Sequence, residues 1–252
     1  MGKLDGRTAV ITGATGGMGR VGSRMFCEEG ARVIGADIDE EGGQQLQEEL
    51  KAAGHDFAFQ RVDVTSSADI EAFAVHVREA FGGLDILYNN AGSILGKPML
   101  ETSEEDWDRI HDINSKSIFL MTKAFVPLMG GRKASIVNVS SIGGITAFEN
   151  MSAYGAAKAG AAHFSRVAAV ELAPDIRVNA ICPGVIDTPM PRAFMSTLPN
   201  RDEIWSAWEK GHLVKRFGKP EEVVSLALWL ASEDAGFMTG AALPIDGGYS
   251  TV

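Results

Sequence analysis

Short β-branched and apolar runs alternate with longer amphipathic stretches along nearly all of this 252-residue chain. Such runs predict strands, and the stretches between them predict helices long enough to connect parallel neighbours. In βαβ units of this kind, helices cover both faces of a parallel sheet. The predicted strands are residues 8–12, 32–37, 57–62, 86–89, 135–139, 177–181 and 242–245. The predicted helices are residues 19–29, 40–53, 68–81, 104–129, 153–172 and 221–231.

The alternation predicts an α/β fold: a single domain over residues 1–252, with a doubly wound sheet of about seven strands that is mostly or wholly parallel. Residues 187–216 interrupt the alternation of predicted strands and helices, and we expect them to form an irregular substrate-binding loop. This segment carries Met190, Met195, Trp205 and Trp208, which indicates a largely apolar substrate, cyclic or steroid-like molecules included.

The first predicted strand runs directly into a glycine-rich turn, Thr12-Gly13-Ala14-Thr15-Gly16-Gly17-Met18-Gly19. Glycines at 13, 17 and 19 permit a tight turn and close approach of a ligand to the backbone. The helix that follows directs its N-terminal amides and the positive end of its dipole at that ligand, which suits a pyrophosphate. Because the turn lies between a strand and a helix, it predicts a dinucleotide site.

Asp37 ends the second predicted strand, where an acidic side chain can bind the ribose 2′-hydroxyl of an adenine dinucleotide. A carboxylate at that point would repel a 2′-phosphate, and the following Ile38 and Asp39 offer no arginine to accept one. The sequence therefore favours NAD over NADP as the cofactor.

Tyr154 and Lys158 lie four residues apart in a predicted helix, and Ser141 lies upstream at the end of a predicted strand. Residues at this spacing share one face of a helix, so an ammonium group can stand beside a phenol. A phenol has a pKa near ~10, and a fixed positive charge lowers it toward the range useful in acid–base catalysis. The pair is suited to moving a proton on and off an alcohol oxygen.

Further motifs occur in order along the chain. They are Asp63-Val64 after the third strand, Asn89-Asn90-Ala91-Gly92 after the fourth, Asn114, Asn138-Val139-Ser140-Ser141 on the fifth, Pro183-Gly184-Val185-Ile186-Asp187-Thr188 after the sixth, and Asp246-Gly247-Gly248. Together with the glycine-rich turn and the Tyr-x-x-x-Lys pair, they resemble the short-chain dehydrogenase/reductase family, whose fold is Rossmann-like.

The resemblance implies a role for each matched position. It makes Tyr154 the general acid and base, Lys158 the residue that lowers the tyrosine pKa, Ser141 a hydrogen-bond donor to the substrate oxygen, and Asn114 the anchor of a proton path. The implied cofactor-binding residues are Gly13, Gly17, Met18, Gly19, Asp37, Asp63, Val64, Asn90, Ala91, Gly92, Tyr154, Lys158, Pro183, Gly184, Val185, Ile186 and Thr188. Relatives commonly associate as tetramers, so we expect a homo-oligomer, a tetramer or a dimer.

Charge and composition exclude several classes of partner. A net charge of −10 disfavours nucleic acid, which requires a basic face. No apolar run is long enough to span a membrane, and no secretory signal is seen, so we expect a cytoplasmic protein. The five histidines lack metal-ligand spacing, and we expect no metal site. Cys27 and Cys182 are expected to be buried free thiols.

The sequence leaves three functions open. The first is an NAD-dependent oxidoreductase that interconverts a secondary alcohol and a ketone by hydride transfer. The second is a 3-oxoacyl-thioester reductase, whose relatives share these motifs but more often use NADPH. The third is a catalytically silent NAD-binding module, against which the complete Ser, Tyr, Lys and Asn set argues.

Overall fold

The computed structural model describes residues 2–196 and 200–251, and a single seven-stranded sheet runs through its centre. All neighbouring strands are parallel, in the order β3-β2-β1-β4-β5-β6-β7, which confirms the predicted doubly wound fold. The strands are β1 (Thr8–Thr12), β2 (Arg32–Asp37), β3 (Phe57–Arg61), β4 (Ile86–Asn89), β5 (Ala134–Val139), β6 (Ile176–Pro183) and β7 (Ala242–Ile245).

Helices cover both faces of this sheet and bury separate hydrophobic cores. They are α1 (Gly17–Glu28), α2 (Glu40–Ala52), α3 (Ser67–Phe81), α4 (Glu104–His111), α5 (Ser117–Phe125), α6 (Ser152–Leu172), α7 (Pro189–Ser196), α8 (Arg201–Gly211) and α9 (Pro220–Ala231). On one face, α1, α2 and α9 pack around Phe26 and Tyr88. On the other, α3, α5 and α6 pack around Phe73 and Phe125.

The central strands are buried on both faces, which explains why they read as continuous apolar runs. Both cysteines are buried free thiols, as predicted. Within the described ranges, no helix combines the length and the apolar character that crossing a bilayer requires.

Two predicted elements differ from the structure. The helix expected over residues 104–129 is interrupted by a π-helical turn, Asp112–Lys116, between α4 and α5. The irregular loop expected over residues 187–216 is wrong, because α7 and α8 occupy most of it. Residues 197–199 of that segment, Pro199 included, lie outside the described residues.

Two valines on α3 allow a matched test of the packing. Val77 is fully buried in the core, whereas Val75, two residues earlier, is 42% exposed. Val77→Ala removes two buried methyl groups and leaves a cavity, so we expect it to lower the free energy of unfolding by about 2 kcal/mol. Val75→Ala should change it by less than about 0.5 kcal/mol. Urea unfolding at one protein concentration measures both, and equal losses would contradict the assignment of this helix face.

Candidate active site

The carboxyl ends of the parallel strands bring most of the predicted site residues to one edge of the sheet. The strand order reverses between β1 and β4, and a crevice opens at such a switch point in doubly wound sheets. Two connected regions lie there: a groove of about 940 Å³ beside β1, β2 and β3, and a smaller cavity beside β5 and β6. Asn90, Gly92, Met18 and Thr188 line both regions.

The glycine-rich turn forms the floor of the groove. Gly13 has a φ of +65°, and a Cβ there would lie 2.8 Å from the Cα of Ala91. A Cβ on Gly19 would overlap the carbonyl oxygen of Gly13, so Gly19 supports the turn from beneath and lines neither region. Side chains at these positions would fill the space where the turn, α1 and the end of β4 converge.

The N-terminus of α1 faces this turn without a side-chain cap. Its N-cap is Gly16, and the first turn contains no acidic residue. Uncapped amides at the positive end of a helix dipole favour an anionic guest. The glycine cradle and this helix end together fit the pyrophosphate of a dinucleotide.

Two carboxylates occupy the groove at the ends of β2 and β3. One oxygen of Asp37 accepts a hydrogen bond from the Thr15 amide at 3.0 Å, and the other accepts from the Asp39 amide at 3.2 Å. Asp63 accepts from both the amide and the hydroxyl of Thr65, at 2.9 and 2.7 Å. These bonds fix both carboxylates at the groove wall. Val64 and Ala91 line the groove beside them.

The groove has a second acidic wall that sequence reasoning missed. Glu105, Asp108 and Asp112 line it from α4 and the π-helical turn, with Arg109 among them. Their helical spacing shows that they share a face, but nothing in the sequence indicates that this face meets the nucleotide groove.

Asn90 joins the groove to the end of β1. Its side-chain nitrogen, Nδ2, donates to the carbonyl oxygens of Thr12 and Gly13, at 3.0 and 3.2 Å. Its side-chain oxygen, Oδ1, is buried and has no hydrogen-bond partner among the residues that the structure describes. A buried acceptor without a donor is costly, and at this position it can be satisfied by a hydroxyl of a bound ligand.

Ser141, Tyr154 and Lys158 line the smaller cavity together with Asn114. Tyr154 and Lys158 lie in the first two turns of α6, on one face, as predicted. Ser141 caps the short turn that follows β5, where its hydroxyl accepts from the Gly143 amide at 3.0 Å. The four predicted catalytic positions are therefore brought together in one cavity.

The Lys158 ammonium binds a backbone carbonyl group beside the Tyr154 ring. Its Nζ donates to the carbonyl oxygen of Val139 at 2.9 Å and lies 5.9 Å from the centre of the Tyr154 ring. Lys158 is only 3% exposed, and this burial lowers its pKa to about 8.

Burial raises the pKa of Tyr154, and a hydrogen bond with the Ser141 side chain offsets part of that rise. The lowering of the tyrosine pKa that we expected from Lys158 is therefore not seen in this geometry. The physical reason is that both groups are withdrawn from water, which favours the neutral form of each.

Asn114 lies at the centre of the π-helical turn and is fully buried. Its side-chain nitrogen donates to the carbonyl oxygens of Ser93 and Ile110, both at 2.9 Å, and its oxygen accepts from the Ser93 amide at 3.2 Å. Such turns are frequent at functional sites. Through Asn114, the π-helical turn between α4 and α5 is hydrogen-bonded to Ser93 in the segment after β4.

The segment after β6, which is predicted to bind the cofactor, lines the same cavity. Pro183, Gly184, Val185 and Ile186 contribute to it, and Thr188 lies directly before α7. The structure thus places this segment beside Ser141, Tyr154 and Lys158.

The rest of the cavity is largely apolar. Among the described residues that line it, only Lys158 carries a charge. Met190 and Trp208 line it as expected, whereas Met195 is buried away from it and Trp205 packs on Phe217 at 4.6 Å. Sequence reasoning missed further apolar lining residues outside segment 187–216: Ile94, Ile142, Phe148 and Met151.

No cluster of three or more histidine, cysteine or acidic side chains with a metal-binding arrangement occurs among residues 2–196 and 200–251.

Comparison with known proteins gives consistent matches over the whole chain. The profile of a family described as "Enoyl-(Acyl carrier protein) reductase" matches residues 13–250. A cyclopentanol dehydrogenase of Comamonas sp. is 36% identical over 252 residues, covering 99% of each chain. The 3-oxoacyl-(acyl-carrier-protein) reductase FabG of Thermotoga maritima is 38% identical over 248 residues, covering 98% of each.

Among solved structures, a variant of actinorhodin polyketide ketoreductase with NADPH is 31% identical and superimposes with a TM-score of 0.94, covering 100% of both chains. The family profile and these full-length relatives, each more than 30% identical, show that this chain is an oxidoreductase of the short-chain dehydrogenase/reductase family.

Proposed function

We propose that this protein is an NAD-dependent oxidoreductase that interconverts a secondary alcohol and a ketone. One observation carries the proposal: the hydroxyls of Ser141 and Tyr154 share an apolar cavity with the segment after β6, and that cavity adjoins the dinucleotide groove. A carbonyl compound in the cavity would have two hydroxyl groups at its oxygen and the cofactor segment beside it.

The proton chemistry belongs to Tyr154. Burial keeps its hydroxyl protonated near neutral pH, so it can donate to a carbonyl oxygen during reduction and accept the proton back during oxidation. Ser141 donates a hydrogen bond to the same oxygen and stabilises the charge that develops there. The nicotinamide of a bound cofactor supplies or accepts the hydride.

In the proposed reaction, protons move between Tyr154 and solvent by way of Lys158 and past Asn114. Lys158, with a pKa of about 8, can lose and regain a proton near the working pH. Asn114 binds Ser93 through two hydrogen bonds. The Asn114 oxygen and the Lys158 Nζ both lie beside Gly92, since a Cβ on Gly92 would be 3.0 Å from the oxygen and 3.2 Å from the Nζ. This proximity supports a proton path from Lys158 past Asn114.

The choice of NAD rests on Asp37. Family members bind NAD or NADP. In this chain, Asp37 is held at the groove wall by two backbone amides, and Asp63, Asp108 and Asp112 add negative charge to the same groove. A 2′-phosphate would carry further negative charge into this region, whereas a ribose hydroxyl can donate to the carboxylate.

The substrate class follows from the cavity. Its lining is apolar beyond the reacting groups, so a compact, uncharged alcohol or ketone without a phosphate or carboxylate fits it. The cyclopentanol dehydrogenase relative supports an alicyclic substrate.

We further infer that residues 1–252 act as one catalytic domain, with 187–216 as its substrate-binding segment. Met190, Pro191 and Trp208 of that segment line the cavity, which supports this role. Exposed apolar side chains on α5 and α6, Phe119 and Val170 among them, support assembly of the domain into a dimer or tetramer.

A 3-oxoacyl-thioester reductase is the second candidate. The FabG relative, whose name describes reduction of a 3-oxoacyl group, favours it. Assays with NAD and NADP against cyclic secondary alcohols and β-keto thioesters separate the two: thioester reduction that depends on NADPH would favour the second candidate. Tight NAD binding without turnover on any substrate would favour a silent module.

Tyr154→Phe tests the proton donor. Loss of the hydroxyl should lower kcat by about 100-fold or more, the usual contribution of general acid–base catalysis. Tyr88→Phe is the matched control, because the Tyr88 hydroxyl is buried in the core without a partner. Steady-state nicotinamide absorbance measures both variants. Turnover by Tyr154→Phe close to that of Tyr88→Phe would refute the role.

Asp37→Asn tests cofactor choice. Replacement of the charge should shift the ratio of kcat/KM for NAD over NADP by about tenfold or more toward NADP, because a charged hydrogen bond and a repulsion are both lost. Asp39→Asn removes a charge two residues away and lies at the N-cap of α2, where asparagine also caps well. Its ratio should stay within about threefold of the parent. Equal shifts in both variants would mean that general charge, and not the ribose contact, sets the preference.

The pH dependence follows from the raised pKa of Tyr154. Oxidation needs the deprotonated phenol, so kcat/KM for the alcohol should rise from about pH 7 to about pH 9, whereas reduction, which needs the protonated form, should not rise. The measurement is a pair of pH–rate profiles in opposite directions. Parallel slopes in the two directions would contradict Tyr154 as the shared acid and base.

A further inference from the structure

His212 is a buried histidine directly after α8, and it lies outside the cavity lining. It is 1% exposed. Its ring packs at right angles to Phe217, with centroids 5.7 Å apart, and against Tyr249 at 5.0 Å. These contacts on two sides define one orientation of the ring.

Both ring nitrogens of His212 bind backbone groups. Nδ1 lies 2.7 Å from the carbonyl oxygen of Trp208, which can only accept, so Nδ1 carries the proton. In the neutral ring Nε2 is then an acceptor, and the Val185 amide donates to it at 3.3 Å. The ring therefore bridges α8 and the segment that follows β6.

The bridge depends on close approach of the two backbones. A Cβ on Gly184 would lie 2.9 Å from His212 Nε2 and 2.9 Å from the Cα of Asp246. The side chain of His212 thus occupies the space that glycine leaves between the cofactor segment and the turn after β7.

The two ends of the bridge lie on two walls of the same cavity. Val185 lines it from the segment proposed to hold the nicotinamide end of the cofactor, between Gly184 and Ile186, and Trp208 lines it from α8. A single side chain thus fixes the distance between these two walls.

We propose that His212 is a positioning residue that holds the Val185 backbone for the nicotinamide end of the dinucleotide and fixes α8 against it. The proposal rests on the proposed function, since it assumes that Val185 lies beside bound nicotinamide. His212 contacts neither substrate nor cofactor, and it acts through the backbone groups that it binds.

Two substitutions separate the two bonds. In His212→Asn, the amide nitrogen can replace Nδ1 and donate to the Trp208 carbonyl, but nothing reaches the Val185 amide. In His212→Gln, the longer side chain can place an oxygen where Nε2 was and accept from Val185, but the bond to Trp208 is lost. The pair therefore tests the cofactor end and the substrate end independently.

The readout is the calorimetric Kd for NAD and for ADP-ribose, which has the adenosine and pyrophosphate but no nicotinamide. In His212→Asn, the Kd for NAD should rise about tenfold or more, the consequence of a buried amide without a partner, while the Kd for ADP-ribose stays within about twofold. His212→Gln should restore the parent ratio of the two constants but raise KM for the alcohol more than it changes kcat.

If His212→Asn raises the Kd for NAD and the Kd for ADP-ribose by the same factor, the proposal is overturned. It is also overturned if neither Kd changes. If His212→Asn does not fold, His212→Gln carries the test, and a tenfold loss of its NAD to ADP-ribose preference would overturn the proposal. A parent protein that binds neither NAD nor ADP-ribose would instead refute the proposed function, so the two failures are distinguishable.

Discussion

The hydrogen bonds between the ends of β1 and β4 hold the two halves of the site together. The Thr12 hydroxyl accepts from the amides of Asn90 and Ala91, both at 3.0 Å, and the Asn90 side chain donates back to Thr12 and Gly13. This junction lies where the strand order reverses. The glycine-rich turn and the segment after β4 meet there through the Asn90 side chain, and groove and cavity adjoin along shared lining residues such as Asn90 and Gly92.

Much of this architecture could be predicted because it depends on local pattern. The predicted bounds of β1, β2, β4 and β7 are those of the structure. For β1 and β4 the reason is that strands buried on both faces read as short apolar runs bounded by turns. The glycine-rich turn and Asp37 were also found where expected, because a parallel sheet brings the ends of its strands to one edge.

Other features depend on contacts that are distant in sequence. The π-helical turn is bound through Asn114 to Ser93, 21 residues away, and no residue within 104–129 signals it. In segment 187–216, which was expected to be irregular, Pro189 and Pro191 lie within a helix. Pro189 begins α7, and Pro191 lies in its first turn, where a missing amide costs no hydrogen bond. The acidic wall on α4 and the bridge through His212 likewise join elements that the chain brings together only when folded.

Burial sets the proton chemistry of the proposed site. The apolar packing that shapes the substrate cavity also withdraws Tyr154 and Lys158 from water, raising the pKa of the phenol and lowering that of the ammonium to about 8. Both shifts favour neutral forms, so the pair does not rest as a phenolate beside an ammonium. A neutral phenol next to Ser141 is a proton donor, and in the proposed reaction it is ready for carbonyl reduction near neutral pH. Alcohol oxidation requires that the proton leave first, and in the proposed reaction it leaves on the side of the cavity that Lys158 and Asn114 line.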